Sequence, residues 1–180
     1  MDERKGVRYL AEAMREVVKA VPDVELHVAG NPKESKATGY AAEQLQSLRA
    51  TLENHLILHG RMPSLKLFKM LDACRTLVAP SLEEMFGNQL IEGLMRGSHG
   101  IVAENTALAE NARRFGNATV VPQRDSAAIA RALTSVLSEP FSPEAAETAR
   151  ANIRAYMSPA TVAEAHRALY ARILDEWRSR

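Results

Sequence analysis

The order of elements predicts an α/β fold, a doubly wound parallel sheet of Rossmann type followed by C-terminal helices. Short apolar, β-branched runs alternate five times with stretches of helical periodicity. No hairpin signal joins one run to the next, so each strand is expected to return parallel through a helical crossover. At 180 residues, with 46% hydrophobic and 25% charged residues, the chain is large enough for one domain with a real core.

The elements follow in order. Residues Gly6 to Val21 predict a helix, because Val7, Leu10, Met14, Val17, Val18 and Val21 recur at three- and four-residue spacing. Pro22-Asp23 ends it, and Val24 to Ala29 alternates as a strand before the turn Gly30-Asn-Pro32. Lys33 to Gly39 is a polar loop, and Tyr40 to Leu52 a second amphipathic helix. Leu56 to His59 is a short strand closed by Gly60. Ser64 is the expected N-cap of a helix through Leu65, Leu67, Phe68 and Leu71. Thr76 to Pro80 reads as a buried strand and Asn88 to Arg96 as a helix. The turn Gly97 to Gly100 leads to the strand Ile101 to Ala103. Thr106 to Arg114 is then helix, Ala118 to Val121 strand and Asp125 to Leu137 helix. Two closing helices run from Pro143 to Tyr156 and from Pro159 to Trp177, the second opened by Ser158-Pro159.

Composition excludes several classes. A formal net charge of +1 offers no general attraction for nucleic acid. The single cysteine, Cys74, placed in a predicted helix, rules out an internal disulfide framework and suits a reducing cytoplasm. No apolar run reaches about 18 residues and no signal peptide opens the chain. The expected location is cytoplasmic, with peripheral membrane association left open. The five histidines lack metal-ligand spacing, and no metal site is expected.

The most informative stretch is Ser81 to Glu92. It leaves a strand, passes through an acidic loop and enters a helix near Asn88. Glu84 lies in the loop and Glu92 about one turn into the helix. Between them, the N–H groups of Gly87, Asn88 and Gln89 carry the positive end of the helix dipole. Carboxylates suit sugar hydroxyls, and free N–H groups suit phosphate. One loop of this kind can hold a nucleotide sugar. Acidic residues at a helix start are also favoured by the dipole alone, so the spacing by itself does not decide the matter. Doubly wound sheets bind ligands beyond the carboxyl ends of their strands, where this loop falls. No Gly-x-Gly-x-x-Gly occurs, which argues against a dinucleotide dehydrogenase.

Pro80-Ser81, Glu84-Met-Phe-Gly87 and Glu92 together resemble the signature of the group 1 glycosyl transferases, family four of the retaining enzymes with GT-B architecture. The resemblance extends to Gly97, Ile101-Val-Ala103 and Glu110, to Val28-Ala-Gly30, to Lys5-Gly6, and to Tyr156-Met-Ser158 and Tyr170. It covers nearly the whole chain in the family's order. It implies that Glu84 and Lys5 are catalytic, Glu84 accepting from donor-sugar hydroxyls and Lys5 neutralising the diphosphate leaving group. It implies further that Glu92 holds the ribose, that the amides of Phe86, Gly87 and Asn88 meet the sugar and diphosphate, and that the backbone around Arg61 and Met62 lines the base pocket. Gly30 and Glu110 fall at donor-binding positions of the same pattern. The substrate implied is a nucleoside-diphosphate sugar, with no cofactor and no metal. The sequence departs from the pattern in three places: Met85 stands for a Gly, His99 for a Pro, and Thr106-Ala107 for a Gly-Gly pair.

On this resemblance, residues 1–140 form an N-terminally truncated nucleotide-sugar-binding domain, and residues 141–180 are helices belonging to the same domain. The domain's first, central strand is expected to be missing, and the family's Arg five residues before the Lys falls one place before Met1. An acceptor-binding N-terminal domain or partner chain is expected to complete the enzyme, so the isolated chain is expected to be an inactive fragment. Leu169, Ile173 and Trp177 of the last helix are expected to be partly exposed. Two alternatives stand beside this reading. One is a non-catalytic remnant or interaction module of the same fold that needs a partner chain. The other is a nucleotide-sugar epimerase, for which no separate acid/base constellation is visible.

Overall fold

A computed structural model describes residues 3–30, 46, 48–50 and 52–179. After a short 3₁₀ turn at Glu3–Lys5, helix α1 spans Val7–Ala20 and strand β1 Leu26–Ala29. Strand β2 (Leu56–Gly60), helix α2 (Ser64–Ala73), strand β3 (Thr76–Ala79) and helix α3 (Asn88–Arg96) follow. Then come β4 (His99–Ala103), α4 (Ala107–Phe115), β5 (Ala118–Val121), α5 (Ser126–Ser138), α6 (Pro143–Met157) and α7 (Pro159–Arg178). The alternation of strand and helix holds, and every strand pairing is parallel.

Among the described residues the strands form two sheets, β1-β2 and β3-β4-β5. Val78 lies opposite Ile101, and Ile101 opposite Thr119. Successive residues of β4 point to opposite faces, and both faces are buried. Ile101 enters a core with Leu10, Met14 and Val17 of α1 and Ile129 and Leu133 of α5. Val102 enters a second core with Leu90 and Leu94 of α3, Leu108 and Phe115 of α4, and Ile153 of α6. Ile101 and Val102 are fully buried, and each such side chain stabilises the fold by about 1.5–3 kcal/mol. α1 reaches both sheets, since Leu26, Leu56 and Val78 also pack on its core.

Several boundaries differ from the sequence-based expectation. Ser64 is the first helical residue rather than the cap: the Pro63 carbonyl accepts from the N–H groups of Lys66 and Leu67, and no side chain caps the end. Cys74 lies just beyond α2, where its N–H donates to the Leu71 carbonyl, and burial pushes its thiol pKa up. β1 starts at Leu26, two residues later than the alternation from Val24 predicts. The helix expected from Tyr40 to Leu52 lies largely outside the described residues; within it, Gln46, Leu48 to Ala50 and Leu52 are helical. Leu48 and Leu52 are buried in the first core.

The last helix stands apart. α6 contributes Ala146, Ala149 and Ile153 to the core, whereas α7 buries none of its residues. Leu169, Ile173 and Trp177 are exposed, as the sequence reading expects.

Candidate functional site

The Glu84 loop is held between three neighbours. The Glu3–Lys5 turn lies against its start: the Leu82 N–H donates to the Arg4 carbonyl at 2.6 Å. Gly6 closes directly on the Pro80 carbonyl, and its φ of 64° suits a residue without Cβ. Any side chain at Gly6 would occupy the space of that carbonyl. From the other side, Gln123 Nε2 donates to the Leu82 carbonyl at 2.8 Å. Farther along, the Ala107 N–H donates to the Glu84 carbonyl at 3.1 Å.

This packing brings Lys5 to Glu84. Lys5 Nζ lies 2.8 Å from Glu84 Oε2, and Gln89 Nε2 donates to the same oxygen at 3.1 Å. The hydrogen bond from Lys5, then that from Gln89, lowers the Glu84 pKa to about 2. Glu84 is therefore ionised at any physiological pH. Lys5 carries three N–H donors and gives one to Glu84, so the same ammonium can also meet an anion.

Beyond Glu84 the chain turns through Gly87, in left-handed conformation with φ of 84°, and α3 begins at Asn88. A Cβ on Gly87 would press into the Leu108 side chain. The cap residue has no side chain to close over the first-turn N–H groups, which concentrate positive potential at this end. Asn111, buried on the inner face of α4, donates through Nδ2 to the Phe86 carbonyl at 2.6 Å. That bond fixes the peptide entering Gly87. Met85 projects outward and is 97% exposed.

Glu92 lies three residues after Gln89 on the same helix face, and both line one cavity with Lys5 and Ser81. The structure thus gathers Lys5, Glu84, Phe86, Gly87, Asn88 and Glu92 at the carboxyl end of β3. Gly30, Arg61 and Met62 belong to the other sheet: the Gly30 N–H donates to the Gly60 carbonyl at 2.8 Å, and Arg61 and Met62 follow β2. Glu110 sits on the exposed side of α4, 3.1 Å from Arg114 one turn later. Thr106 serves as the N-cap of α4. Its Oγ1 accepts from the Ala109 N–H and donates to the Ala103 carbonyl at 2.9 Å.

Two side chains of this site are absent from the sequence reading. Gln89 was visible there only through its backbone. Asn111 carries a signal in the sequence: an amide between Leu108, Ala112 and Phe115 on an otherwise apolar face must find a partner.

The arrangement is an ionised carboxylate, an ammonium and an uncapped helix start, all beyond the carboxyl end of a parallel strand. Similar folds occur among solved structures. The chain superposes on sucrose-phosphate synthase from Thermosynechococcus elongatus with a TM-score of 0.78 at 23% identity, covering 97% of this chain and 44% of that one. It superposes on Anabaena HepE, solved in complex with UDP-glucose, with a TM-score of 0.80 at 18% identity, covering 96% of this chain and 46% of that one. A curated relative, the phosphatidyl-myo-inositol mannosyltransferase of Mycobacterium leprae (strain TN), is 28% identical over 135 residues, or 74% of this chain and 34% of that protein. The chain thus spans about a third of that relative's length. A family model described as glycosyl transferases group 1 matches residues 1–139. With the signature around Glu84 embedded in the fold these enzymes share, the chain belongs to the group 1 glycosyl transferases.

Proposed function

We propose that this domain binds the nucleoside-diphosphate sugar donor of a retaining, metal-independent hexosyl transfer. The observation that carries the reading is the cluster in which Lys5 and Gln89 hold Glu84 ionised beside the start of α3. A carboxylate kept charged and fixed in direction is suited to accept hydrogen bonds from sugar hydroxyls. The diphosphate lies against the N–H groups at Gly87 to Gln89, with the remaining donors of Lys5 beside it. Glu92 receives the ribose hydroxyls from the helix face that also carries Gln89. Charge developing on the departing diphosphate is met by preorganised donors, the role such groups serve in other transfers. The HepE complex with UDP-glucose, on the same fold, supports a sugar nucleotide as ligand. The acceptor comes from an acceptor-binding domain or partner chain facing this one.

The test is calorimetric titration of the folded chain with UDP, GDP and ADP, repeated with Glu92→Ala. Saturable binding of one nucleotide, weakened at least tenfold by the substitution, is expected. A folded chain that binds none of the three, or a Glu92→Ala variant that binds as well as the parent, overturns the reading. The second reading is a partner-binding module without catalysis. It is favoured by α7, whose Leu169, Tyr170, Ile173, Leu174 and Trp177 are all exposed.

A further inference from the structure

Two of the five histidines meet on the β1-β2 sheet. His27 of β1 and His59 of β2 are 32 positions apart in sequence, a separation that shows no ligand spacing. Val28 lies opposite Leu58 but Ala29 lies opposite Gly60, so His59 is an extra residue in β2. Bulges of this kind re-aim a side chain, and here the His59 ring is turned onto His27. Nδ1 of His27 lies 3.0 Å from Nε2 of His59. The rings are within 19° of parallel with centroids 5.2 Å apart, nearly the nitrogen–nitrogen gap plus the two ring radii, so they meet edge to edge. The other three are engaged elsewhere. His55 bonds the Val24 carbonyl, His99 bonds Asn117 and Thr119, and His166 bonds the Val162 carbonyl of its own helix.

Glu25 fixes the roles of the two His27 nitrogens. Its Oε2 lies 3.2 Å from His27 Nε2. An ionised carboxylate only accepts, so Nε2 carries the ring proton and Nδ1 turns a lone pair toward His59. A carboxylate behind an imidazole whose other nitrogen stays basic is the outer arrangement found at metal-ligating histidines. The His27 side chain is 27% exposed, so the pair is open to solvent.

The spacing fits one ion. Nitrogens 3.0 Å apart, each bonded to an ion at about 2.0–2.1 Å, close an angle of about 94°. A near-right angle suits a square-planar or octahedral ion, Cu²⁺ or Ni²⁺, whereas tetrahedral Zn²⁺ asks for nitrogens about 3.3 Å apart. The ion takes the place of the hydrogen between the rings: the His59 proton moves from Nε2 to Nδ1, and each ring turns about 40° off the line joining the nitrogens. Among the described residues no group of three His, Cys, Asp or Glu is placed to hold an ion, so water fills the remaining positions.

We propose that His27 and His59 form a two-imidazole chelate for a divalent transition ion of the Cu²⁺ and Ni²⁺ class. It belongs to β1-β2, whereas Glu84 follows β3 on the other sheet, so it is separate from the donor cluster. When bound, the ion ties β1 to β2 at the residue before Gly60.

The test is calorimetric titration of the folded chain with Ni²⁺ alone. Saturable binding of one ion per chain is expected. His27→Gln and His59→Gln should each weaken it at least tenfold, while His55→Gln, His166→Gln and Cys74→Ser leave it unchanged. A second readout keeps both ligands in place: trace Cu²⁺ added to the Cys74→Ser chain should broaden the ring-proton NMR signals of His27 and His59 before those of the other three histidines. The proposal is overturned if the folded chain shows no saturable Ni²⁺ binding or if either ligand variant binds as tightly as the parent. Broadening that starts at His55, His99 or His166 also overturns it. No nucleotide enters either readout, so the outcome is independent of donor binding.

Discussion

Lys5 Nζ and Glu84 Oε2 stand 2.8 Å apart across 79 positions of sequence. The pair exists because Gly6 lets the first turn of the chain close onto Pro80, while the Leu82 N–H ties the loop to Arg4. Gln89 completes it from the first turn of α3. The charge state of the candidate catalytic carboxylate is thus a property of packing between the chain's beginning and its middle.

The first prediction concerns pH. The Glu84 pKa is lowered from 4.5 to about 2 in the folded state, so its contribution to stability is fully present above 4.5 and is lost as pH falls toward 2. Glu84→Gln should cost about 1–2 kcal/mol at pH 6, the scale of one charged hydrogen bond with an ion pair. The gap between parent and variant should shrink as pH is lowered from 4.5 to 2, measured by denaturant melts at each pH. A gap independent of pH would contradict the assignment.

Lys5→Met removes the largest cause of that lowered pKa. The Glu84 carboxyl should then titrate nearer its ordinary range, as read by carbon-detected NMR of the side chain. Nucleotide binding should weaken by at least tenfold, and stability at pH 6 should fall by no more than Glu84→Gln costs, because Glu84 keeps its bond from Gln89.

Gly6→Ala tests the closure that sets up the pair. A left-handed φ costs a non-glycine residue about 1–3 kcal/mol, and the new Cβ also meets the Pro80 carbonyl. The variant should lose stability on that scale and should raise the Glu84 pKa together with it. A stability loss with the carboxyl still titrating near 2 would show that the pair does not depend on this contact.

Asn111→Leu should cost about 1–3 kcal/mol, because the Phe86 carbonyl loses a buried donor. Its effect on nucleotide affinity should exceed that of Ile153→Val, a substitution in the same half of the core but away from the loop. Equal effects would reduce Asn111 to a packing residue.

His99 supplies a second pH window. Burial pushes its pKa below 6.5 despite the hydrogen bond with Asn117. A lowered folded-state value means the unfolded chain binds the proton more readily, so stability falls as pH drops below 6.5 and levels off below the folded-state pKa. His99→Gln should flatten that decline between pH 7 and 5, followed by thermal melts.

The sequence by itself determined which segments become strands and helices, because burial on one or two faces writes periods of 2.0 and 3.6 into neighbouring residues. It also placed Glu84 in a loop and Glu92 on a helix, through the strand ending at Ala79 and the helix starting at Asn88. The family signature added Lys5, which no local pattern marks. Only the tertiary structure decided that Lys5 and Gln89 share one oxygen of Glu84 and that Asn111 holds the Phe86 carbonyl. It also decided that the strands divide between β1-β2 and β3-β4-β5, with a cavity along the facing edges. The reason is physical. Periodicity records whether a side chain is buried, but the partner that buries it or bonds it is set by elements that meet across tens of residues, and spacing along the chain carries no record of that meeting.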